Sequence, residues 1–290
     1  MGFIARAQLA SAVSNAGGLG IIETSSGRLD EVRDEIVKMR GLTDKPFGVN
    51  VAQLFIRDAS IVDFIADNGV SFVTTSAGDP TKYTKALKDA GITVFHVVPS
   101  LRGALKAVDA GVDGLVVEGN EGGGFKAPPG ASTMVLLPLI ASRVEVPIIA
   151  AGGVCDGRSM AAALVLGADG VQMGTRMVSA AESPVHENWK NLICTSNEGD
   201  TLLLNRNSPP AFRVLRTDFS ESAECDDQAV IPNLEAVRDL YFGGNLDASF
   251  AFSGQVAGRI TEILPVAQIL SETIAACDAV LRETTARFTT

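Results

Sequence analysis

Several residue types that mark particular functions are scarce in this chain. Aromatic residues make up 6% of its 290 residues, and it has one tryptophan and two histidines. Its four cysteines, Cys155, Cys194, Cys225 and Cys277, form no C-x-x-C pair and no zinc-ligand spacing, which predicts free thiols and no metal site. Reduced thiols are typical of a cytoplasmic protein. The longest apolar stretches, such as 134–141, are too short to cross a bilayer, so no membrane contact is predicted.

Positive charge is also in short supply. The chain has 24 lysines and arginines against 34 aspartates and glutamates, which gives a net charge of −10 and an isoelectric point near 4.8. This balance argues against nucleic acid or an anionic lipid surface as a partner, because both require a basic surface. With 46% hydrophobic and 20% charged residues, the chain is predicted to be globular and to act on a small-molecule substrate. A homodimer is a possible assembly.

Short β-branched runs alternate with alanine-rich helical patterns along the first 175 residues. The predicted strands span residues 20–23, 46–51, 70–76, 93–99, 114–119, 147–152 and 170–175. Such alternation is typical of an α/β protein with a buried parallel sheet. We therefore predict a TIM (β/α)8 barrel. Because only seven strands are found, we expect the first strand to lie upstream of Met1.

The pattern changes after residue 175. Residues 176–250 contain Trp189, the pair Pro209-Pro210 and an acidic run at 221–227. We predict three parts: a barrel over 1–175, a helical and strand-free insertion over 176–250, and a C-terminal helical segment over 251–290 that packs on the barrel. The insertion would follow strand eight and act as a lid over the strand ends.

Two consecutive loops at the end of the predicted barrel are rich in glycine. Gly152-Gly153 follows the seventh strand of that barrel, and Gly174-Thr175 follows the eighth. Phosphate groups commonly bind these two loops, because backbone amides and a helix N-terminus can face an anion there. Each pair alone could equally be an ordinary turn. The two pairs in consecutive order predict a phosphate site.

A third glycine cluster, residues 118–125, follows the strand 114–119. A loop with few side chains lets the backbone approach a flat ligand closely. The cluster does not have the G-x-G-x-x-G pattern before a helix, so a Rossmann site is not predicted. Asn50 ends the apolar strand 46–51, where its amide could either face a ligand or close a turn.

In their order along the chain, these motifs resemble the nitronate monooxygenase (2-nitropropane dioxygenase) family, which includes flavin-dependent enoyl-acyl-carrier-protein reductases and NAD(P)H:quinone reductases. The motifs are Ala16-Gly17-Gly18-Leu19-Gly20, Lys45-Pro46-Phe47-Gly48-Val49-Asn50, the 118–124 loop, Ala150-Ala151-Gly152-Gly153, Gln172-Met173-Gly174-Thr175-Arg176 and Gly254-Gln255-Val256-Ala257-Gly258. The resemblance implies FMN in the 1–175 barrel and NAD(P)H as a possible electron donor. It implies a cofactor site formed by Met1, Gly2, Asn50, Glu118, Gly123, Gly152, Gly153, Gln172, Met173, Gly174 and Thr175.

One residue departs from the family pattern. Members active on nitroalkanes carry histidine at the end of the glycine loop, where this chain has Phe125. Removing the α-proton of a neutral nitroalkane needs a positioned base, which phenylalanine cannot supply. The catalytic residue is therefore unknown. His186, in the predicted lid, is the residue to test as an alternative base, His96 is expected to pack in the barrel, Cys155 to be structural, and Lys126 to be a solvated loop residue unless it contacts an anionic substrate.

The resemblance implies an FMN-dependent oxidoreductase that oxidises nitronates with O2. A nitronate is already deprotonated, so Phe125 is compatible with this activity. One alternative is an NAD(P)H-dependent reductase of enoyl thioesters or quinones. Another is a barrel that binds flavin or a different phosphorylated ligand without catalysis.

Overall fold

Most of the chain alternates between parallel strands and helices. The computed structural model describes residues 1–56, 60–224 and 228–288. The strands in these ranges are β1 (Gly20–Glu23), β2 (Phe47–Ala52), β3 (Phe72–Ser76), β4 (Thr93–Val98), β5 (Gly114–Glu118), β6 (Gly124–Lys126), β7 (Ile148–Ala151), β8 (Gly170–Gln172), β9 (Thr201–Leu204) and β10 (Ala211–Leu215).

The helices cover the outside of the sheet and most of the chain after β8. In the described ranges they are α1 (Ala7–Asn15), α2 (Leu29–Leu42), α3 (Ile61–Asp67), α4 (Thr84–Asp89), α5 (Leu101–Asp109), α6 (Thr133–Ala141), α7 (Gly157–Val165), α8 (Thr175–Val178), α9 (Glu187–Thr195), α10 (Asp218–Glu224), α11 (Leu234–Arg238) and α12 (Val266–Phe288). Turns of 3-10 helix lie at Pro80–Lys82 and Gln255–Arg259, and a π-helical turn lies at Asp239–Gly243.

Seven strands form one curled parallel sheet in the order β1-β2-β3-β4-β5-β7-β8. This is their order along the chain, because each βα unit sets the next strand beside the previous one. All seven predicted strands are present, so the prediction of an α/β fold is confirmed, and the fold is TIM-barrel-like. Within the described residues, β1 and β8 are the edges of the sheet. Closure by eight strands stays a prediction.

The first five residues contact the ends of both edge strands. The backbone N–H of Glu23, at the end of β1, donates to the carbonyl oxygen of Ala5 over 2.9 Å. A Cβ placed on Gly174, just after β8, would lie 4.0 Å from Sδ of Met1. The N-terminal segment therefore lies at the carboxyl end of the sheet, between its two edges.

The two faces of the large sheet have different surroundings. Its outer face packs against the helices in the main hydrophobic core, where Val49, Val51, Val73, Val94, Leu115 and Val117 are each at most 1% exposed. Because side chains alternate along a strand, the residues between these point to the inner face. The strand register then places Asn50, Glu118 and Gln172 together on the inner face.

Two phenylalanines fill part of the inner face. The ring centroids of Phe72 and Phe95 lie 5.2 Å apart. Glycines on neighbouring strands leave space for these rings, since a Cβ on Gly114 would lie 2.3 Å from the Phe95 ring and one on Gly48 would lie 2.9 Å from Phe72. Overlaps this close cannot be accommodated without movement of the rings. The inner layer thus depends on glycine at both positions.

The region 176–250 corrects one prediction. It contains helices, but β9 and β10 pair antiparallel with each other, so the prediction of a strand-free insertion is wrong. β10 also pairs with β6 at the end of the glycine cluster 118–125, with Phe212 opposite Phe125. Local pattern could not show this pairing, because β6 is only three residues long and lies 85 residues before Ala211 when counted from Lys126. The role of the region as a lid stays a prediction.

The C-terminal segment also differs from its prediction. Helix α12 begins at Val266 and packs on α7 and α1. The residues before Val266, which belong to the segment predicted to be helical over 251–290, form only the short 3-10 turn Gln255–Arg259. Gly254 lies against the glycine loop, where a Cβ would come within 2.6 Å of the Glu121 carbonyl oxygen. The N–H groups of Gly254 and Gln255 donate to Oγ1 of Thr175 and to the carbonyl oxygen of Glu121, so neither is used in a helix.

Some predictions fall outside the described residues. The alternating sequence pattern also predicts a helix over 58–68, whose first residues lie in the undescribed range 57–59 and whose described part forms α3. The acidic run 221–227 and Cys225 extend into the undescribed range 225–227. Within the described ranges, Cys155, Cys194 and Cys277 are free thiols. No helix in those ranges has both the length and the apolar character needed to cross a bilayer.

His96 lies on the outer face and predicts a pH-dependent stability. It is 4% exposed, and its Nδ1 lies 2.6 Å from Oγ1 of Thr75. Burial lowers its pKa from 6.5 to about 4, with Asp79 opposing and Lys106 reinforcing the shift. The unfolded chain therefore binds more protons between these values, and stability present above pH 6.5 is lost as the pH falls towards 4.

We expect this one group to account for about 3 kcal/mol of the acid-induced loss. Urea titrations across this pH range should show a shallower pH dependence for His96→Asn, which keeps a polar group beside Thr75. Equal dependence in the two proteins would contradict a neutral buried His96.

Candidate functional site

The two glycine loops predicted to bind phosphate are neighbours in the structure. Ala151 pairs with Gln172, so the loops that follow β7 and β8 leave the same edge of the sheet side by side. Gly152 and Gly153 both have φ of +81°, a conformation that favours glycine. Among the described residues, none accepts a hydrogen bond from the backbone N–H groups of Gly152, Gly153 or Gly174. These N–H groups are therefore available to an anion.

The helix after the first of these loops does not contribute an open N-terminus. The side chain of Asp156 caps α7 by accepting from the backbone N–H of Ser159 over 2.8 Å, and it also pairs with Arg259. The prediction that this helix end faces an anion is therefore wrong, because a carboxylate of the chain already fills it. In the loop after β7, the backbone N–H groups of Gly152 and Gly153 are therefore the donors that form the predicted phosphate site.

The glycine loop, residues 119–124, is held by hydrogen bonds at Gly119 and Glu121. Its Gly119 N–H donates to the carbonyl oxygen of Ala151 over 3.0 Å, and Thr133 Oγ1 donates to the carbonyl oxygen of Gly152 over 2.8 Å. The Glu121 carboxylate accepts from the Thr133 N–H at 2.9 and 3.0 Å. These bonds tie the glycine loop to the loop after β7.

The segment at residue 254 closes the same region from the other side. The Gly254 N–H donates to Oγ1 of Thr175 over 2.8 Å, and the Gln255 N–H donates to the carbonyl oxygen of Glu121 over 2.9 Å. A Cβ on Gly123 would lie 2.6 Å from the Ser253 carbonyl carbon. The structure thus brings Gly123, Thr175 and the late motif 254–258 together, as the sequence order alone could not show.

Polar side chains lie at the end of β2. The amide oxygen of Asn50 accepts from Oγ1 of Thr74 over 2.9 Å, which turns the amide nitrogen away from Thr74. Among the described residues, none accepts a hydrogen bond from that nitrogen, so Asn50 keeps two donors on the inner face. Gln53 was not predicted as a site residue. It is 6% exposed, and its side-chain oxygen and nitrogen have no hydrogen-bond partner within the described ranges.

Glu118 and Lys126 form an ion pair beside the glycine loop. Nζ of Lys126 lies 2.5 Å from Oε1 of Glu118, with side-chain exposures of 5% and 28%. A Cβ on Gly122 would lie 2.5 Å from that carboxylate oxygen and 2.7 Å from Nζ, so the pair fits against the loop backbone. The expectation that Lys126 is a solvated loop residue is therefore wrong.

Phe125 stands in an aromatic cluster at the site. Its ring centroid lies 6.2 Å from that of Phe55, 6.0 Å from Phe252 and 6.4 Å from Phe212. Phe125 itself is 38% exposed. We call Phe55, Phe125, Phe212 and Phe252 the aromatic wall; it combines the β2 end, the glycine loop, β10 and the segment before Gly254. No sequence pattern indicated this cluster, because its members are far apart in the chain.

Arg213 is a buried side chain that hydrogen-bonds to the glycine loop. It is 5% exposed, its Nε donates to the carbonyl oxygen of Asn120 over 3.1 Å, and its Nη1 donates to Oγ1 of Thr201 over 3.0 Å. Burial lowers the pKa of this guanidinium. In the described parts of the chain, no carboxylate forms an ion pair with it. Sequence analysis missed Arg213, because nothing in its local sequence indicates burial.

The remaining candidate residues have structural roles in the described contacts. His186 caps α9: its Nδ1 accepts from the Asn188 N–H over 3.1 Å, and its ring packs against Gly244. These contacts lie within the insertion. Cys155 is 5% exposed, and burial is the main cause that raises the pKa of its thiol, which disfavours the reactive thiolate. In their described contacts, neither His186 nor Cys155 therefore supplies a base at Phe125.

The chain resembles known proteins over most of its length. A family model described as "Nitronate monooxygenase" matches residues 1–56 and 52–275. The "Probable nitronate monooxygenase" of Staphylococcus aureus (strain MSSA476) is 30% identical over 258 residues, which cover 74% of this chain and 73% of that protein.

Two further similarities concern differently named proteins. The "(3aS,4S,5R,7aS)-5-hydroxy-7a-methyl-1-oxo-octahydro-1H-indene-4-carboxyl-CoA dehydrogenase" of Mycobacterium tuberculosis is 37% identical over 232 residues, which cover 79% of this chain. The match covers 65% of that relative, slightly less than two thirds of its length. The solved structure of FabK from Thermotoga maritima superposes with a TM-score of 0.90 at 36% identity, covering 99% of this chain and 93% of that one.

Proposed function

The chain belongs to the nitronate monooxygenase family, and we propose that it is an FMN-dependent oxidoreductase that oxidises nitronates with O2. Membership in the family supports a flavin cofactor. The choice of FMN, the substrate and the oxidant are parts of the proposal. The observation that carries it is the pair of adjacent glycine loops with available N–H groups, beside an inner face that holds Asn50, Glu118 and Gln172.

The residues present fit a flavin mononucleotide. The N–H groups of Gly152, Gly153 and Gly174 would hold its phosphate, because backbone donors at glycine loops suit an anion without a competing side chain. Asn50 would donate to the ring system, and Gly123 would let the loop backbone approach it closely. Met1, which the resemblance assigns to the cofactor site, lies beside Gly174. When bound, the flavin would supply the redox chemistry.

The residues around the aromatic wall favour a deprotonated substrate. Phe125 cannot accept a proton, whereas a nitronate has already lost its acidic α-proton. Lys126, on the opposite face of the same short strand, carries a positive charge that is paired with Glu118. The lack of a base at Phe125 therefore favours a substrate that needs no deprotonation.

A second candidate function is reduction of an enoyl thioester or a quinone with NAD(P)H as electron donor. The aromatic wall favours it, because the partly exposed rings of Phe55, Phe125 and Phe252, backed by the buried Phe212, present an apolar surface to a hydrophobic substrate. This reaction also needs no base at Phe125. A third reading, ligand binding without turnover, predicts flavin or phosphate binding and no reaction with either substrate class.

Purified protein should be yellow and should contain one FMN per chain. Mixing it anaerobically with NADH, NADPH or ethyl nitronate, while flavin absorbance is followed, separates these functions. Bleaching by the nitronate, with product formed when O2 is admitted, is the expected result. Bleaching by NAD(P)H and not by the nitronate would indicate the reductase instead of the nitronate-oxidising enzyme. A colourless protein that gains no flavin from added FMN would contradict both of these functions.

A further inference from the structure

Lys126 brings a cation into the interior of the site. Side chains alternate along a strand, so Lys126 points to the opposite face of β6 from Phe125. There its side chain is 5% exposed, and its ammonium group pairs with Glu118. One position after the residue at which family members carry histidine, this chain therefore presents a buried ammonium.

The ammonium group has more donors than its described partners use. A lysine ammonium has three N–H donors. Within the described ranges, Glu118 is the one residue that accepts from Lys126, which leaves two donors. A buried charge is costly unless its remaining donors are satisfied. Because Glu118 is 28% exposed on the inner face, a ligand there can approach the pair.

Arg213 adds a second buried cation on the same face of the small sheet. Gly124 lies opposite Arg213 and Lys126 lies opposite Ala211, so Lys126 and Arg213 share one face of β6 and β10. Phe125 and Phe212 share the other face. The sheet thus separates an apolar side from a positively charged side, and both are next to the glycine loop.

We propose that Lys126 is a specificity-determining residue that binds the oxygen of a planar, delocalised oxyanion. A nitronate carries such a charge in the ground state, and an enone or quinone develops one when it is reduced. The positively charged Nζ would donate a charge-assisted hydrogen bond to that oxygen, which is stronger than a neutral one. The identity of the substrate rests on the proposed function, whereas the binding of an oxyanion by Lys126 does not.

Benzoate is a suitable probe, because it presents a planar oxyanion on an aromatic ring, and benzamide is its neutral analogue. We expect Lys126→Met in the flavin-loaded protein to raise the benzoate Kd by about 10- to 100-fold, the range for a hydrogen bond to a charged group. Lys126→Arg should retain most of the affinity. Glu118→Gln removes a competing carboxylate and should tighten benzoate binding. Benzamide affinity should be nearly equal in all variants.

Titration calorimetry, with flavin content measured for each variant, provides the test. An unchanged benzoate Kd in Lys126→Met would overturn the proposal. If that variant fails to fold because Glu118 is left unpaired, the double variant Lys126→Met with Glu118→Gln, which buries neither charge, replaces it. The double variant must bind benzoate more weakly than Glu118→Gln alone, and equal affinity of these two variants would overturn the proposal.

Turnover distinguishes the two sources of the oxyanion. A loss of kcat/KM by about 10- to 100-fold in Lys126→Met for ethyl nitronate identifies the nitronate, and the same loss for an enone or quinone identifies the reductase substrate. A protein that binds benzoate through Lys126 but turns over neither substrate would disprove the proposed function and leave the anion site standing.

Discussion

Gly174→Glu should give a folded protein without flavin. A Cβ at Gly174 meets nothing closer than Sδ of Met1 at 4.0 Å, and φ of this residue is −100°, so a side chain is tolerated. The added carboxylate would lie beside the available N–H groups of the two glycine loops. Two like charges about 4 Å apart at a protein surface repel by about 4 kcal/mol, which corresponds to roughly 1000-fold weaker phosphate binding.

Gly174→Gln is the matched control. Glutamine has nearly the same size and shape as glutamate but no charge, so it should weaken FMN binding much less. The measurements are the FMN Kd by quenching of flavin fluorescence and the melting temperature of each apoprotein. Stoichiometric flavin in purified Gly174→Glu would show that the phosphate binds elsewhere. Equal losses in both variants would mean that bulk, and not charge, excludes the cofactor.

The wild-type protein should oxidise a preformed nitronate far faster than the corresponding neutral nitroalkane. A positioned base contributes about 10²- to 10⁴-fold to proton removal, and this chain has Phe125 where the resemblance implies histidine in members active on nitroalkanes. The rate ratio between anion and neutral form should therefore fall in that range. Equal wild-type rates would mean that another base acts, with His186 the first residue to replace.

Phe125→His should recover part of the missing activity on nitroalkanes. The position of the residue is fixed by the pairing of β6 with β10, so an imidazole there would stand next to Phe55 and Phe252 as the phenyl ring does. Phe125→Leu is the control, because it removes the ring without adding a base. Initial rates on a nitroalkane, its nitronate and a quinone with NAD(P)H complete the comparison.

The opposite pattern would indicate a different role for this ring. If Phe125 is a wall for a hydrophobic acyl or quinone substrate, Phe125→His lowers the reductase rate and gains nothing on the nitroalkane. Phe125→Leu would then retain more reductase activity than Phe125→His, because it keeps the surface apolar. The two variants thus separate loss of an apolar contact from gain of a base.

The sequence alone determined the parallel sheet and the position of its glycine loops. A buried parallel strand is a short β-branched run, and a loop that approaches a ligand closely needs glycine. Both requirements are local, so they can be recognised in the sequence without knowledge of tertiary contacts. The seven strands were therefore predicted correctly, as was the adjacency of the loops at Gly153 and Gly174, since consecutive strands of such a sheet lie side by side.

Only the tertiary structure decided which other groups reach those loops. Lys126 resembles any loop lysine in sequence, and its burial follows from the pairing of β6 with β10 and the contact with Glu118. The aromatic wall and Arg213 also come from residues far apart in the chain. The N-terminus of α7 looked open to an anion until the Asp156 side chain was seen to cap it. Such contacts depend on long-range packing, whose partners a local pattern does not specify, so the charge and shape of the substrate side of the site could be determined only in three dimensions.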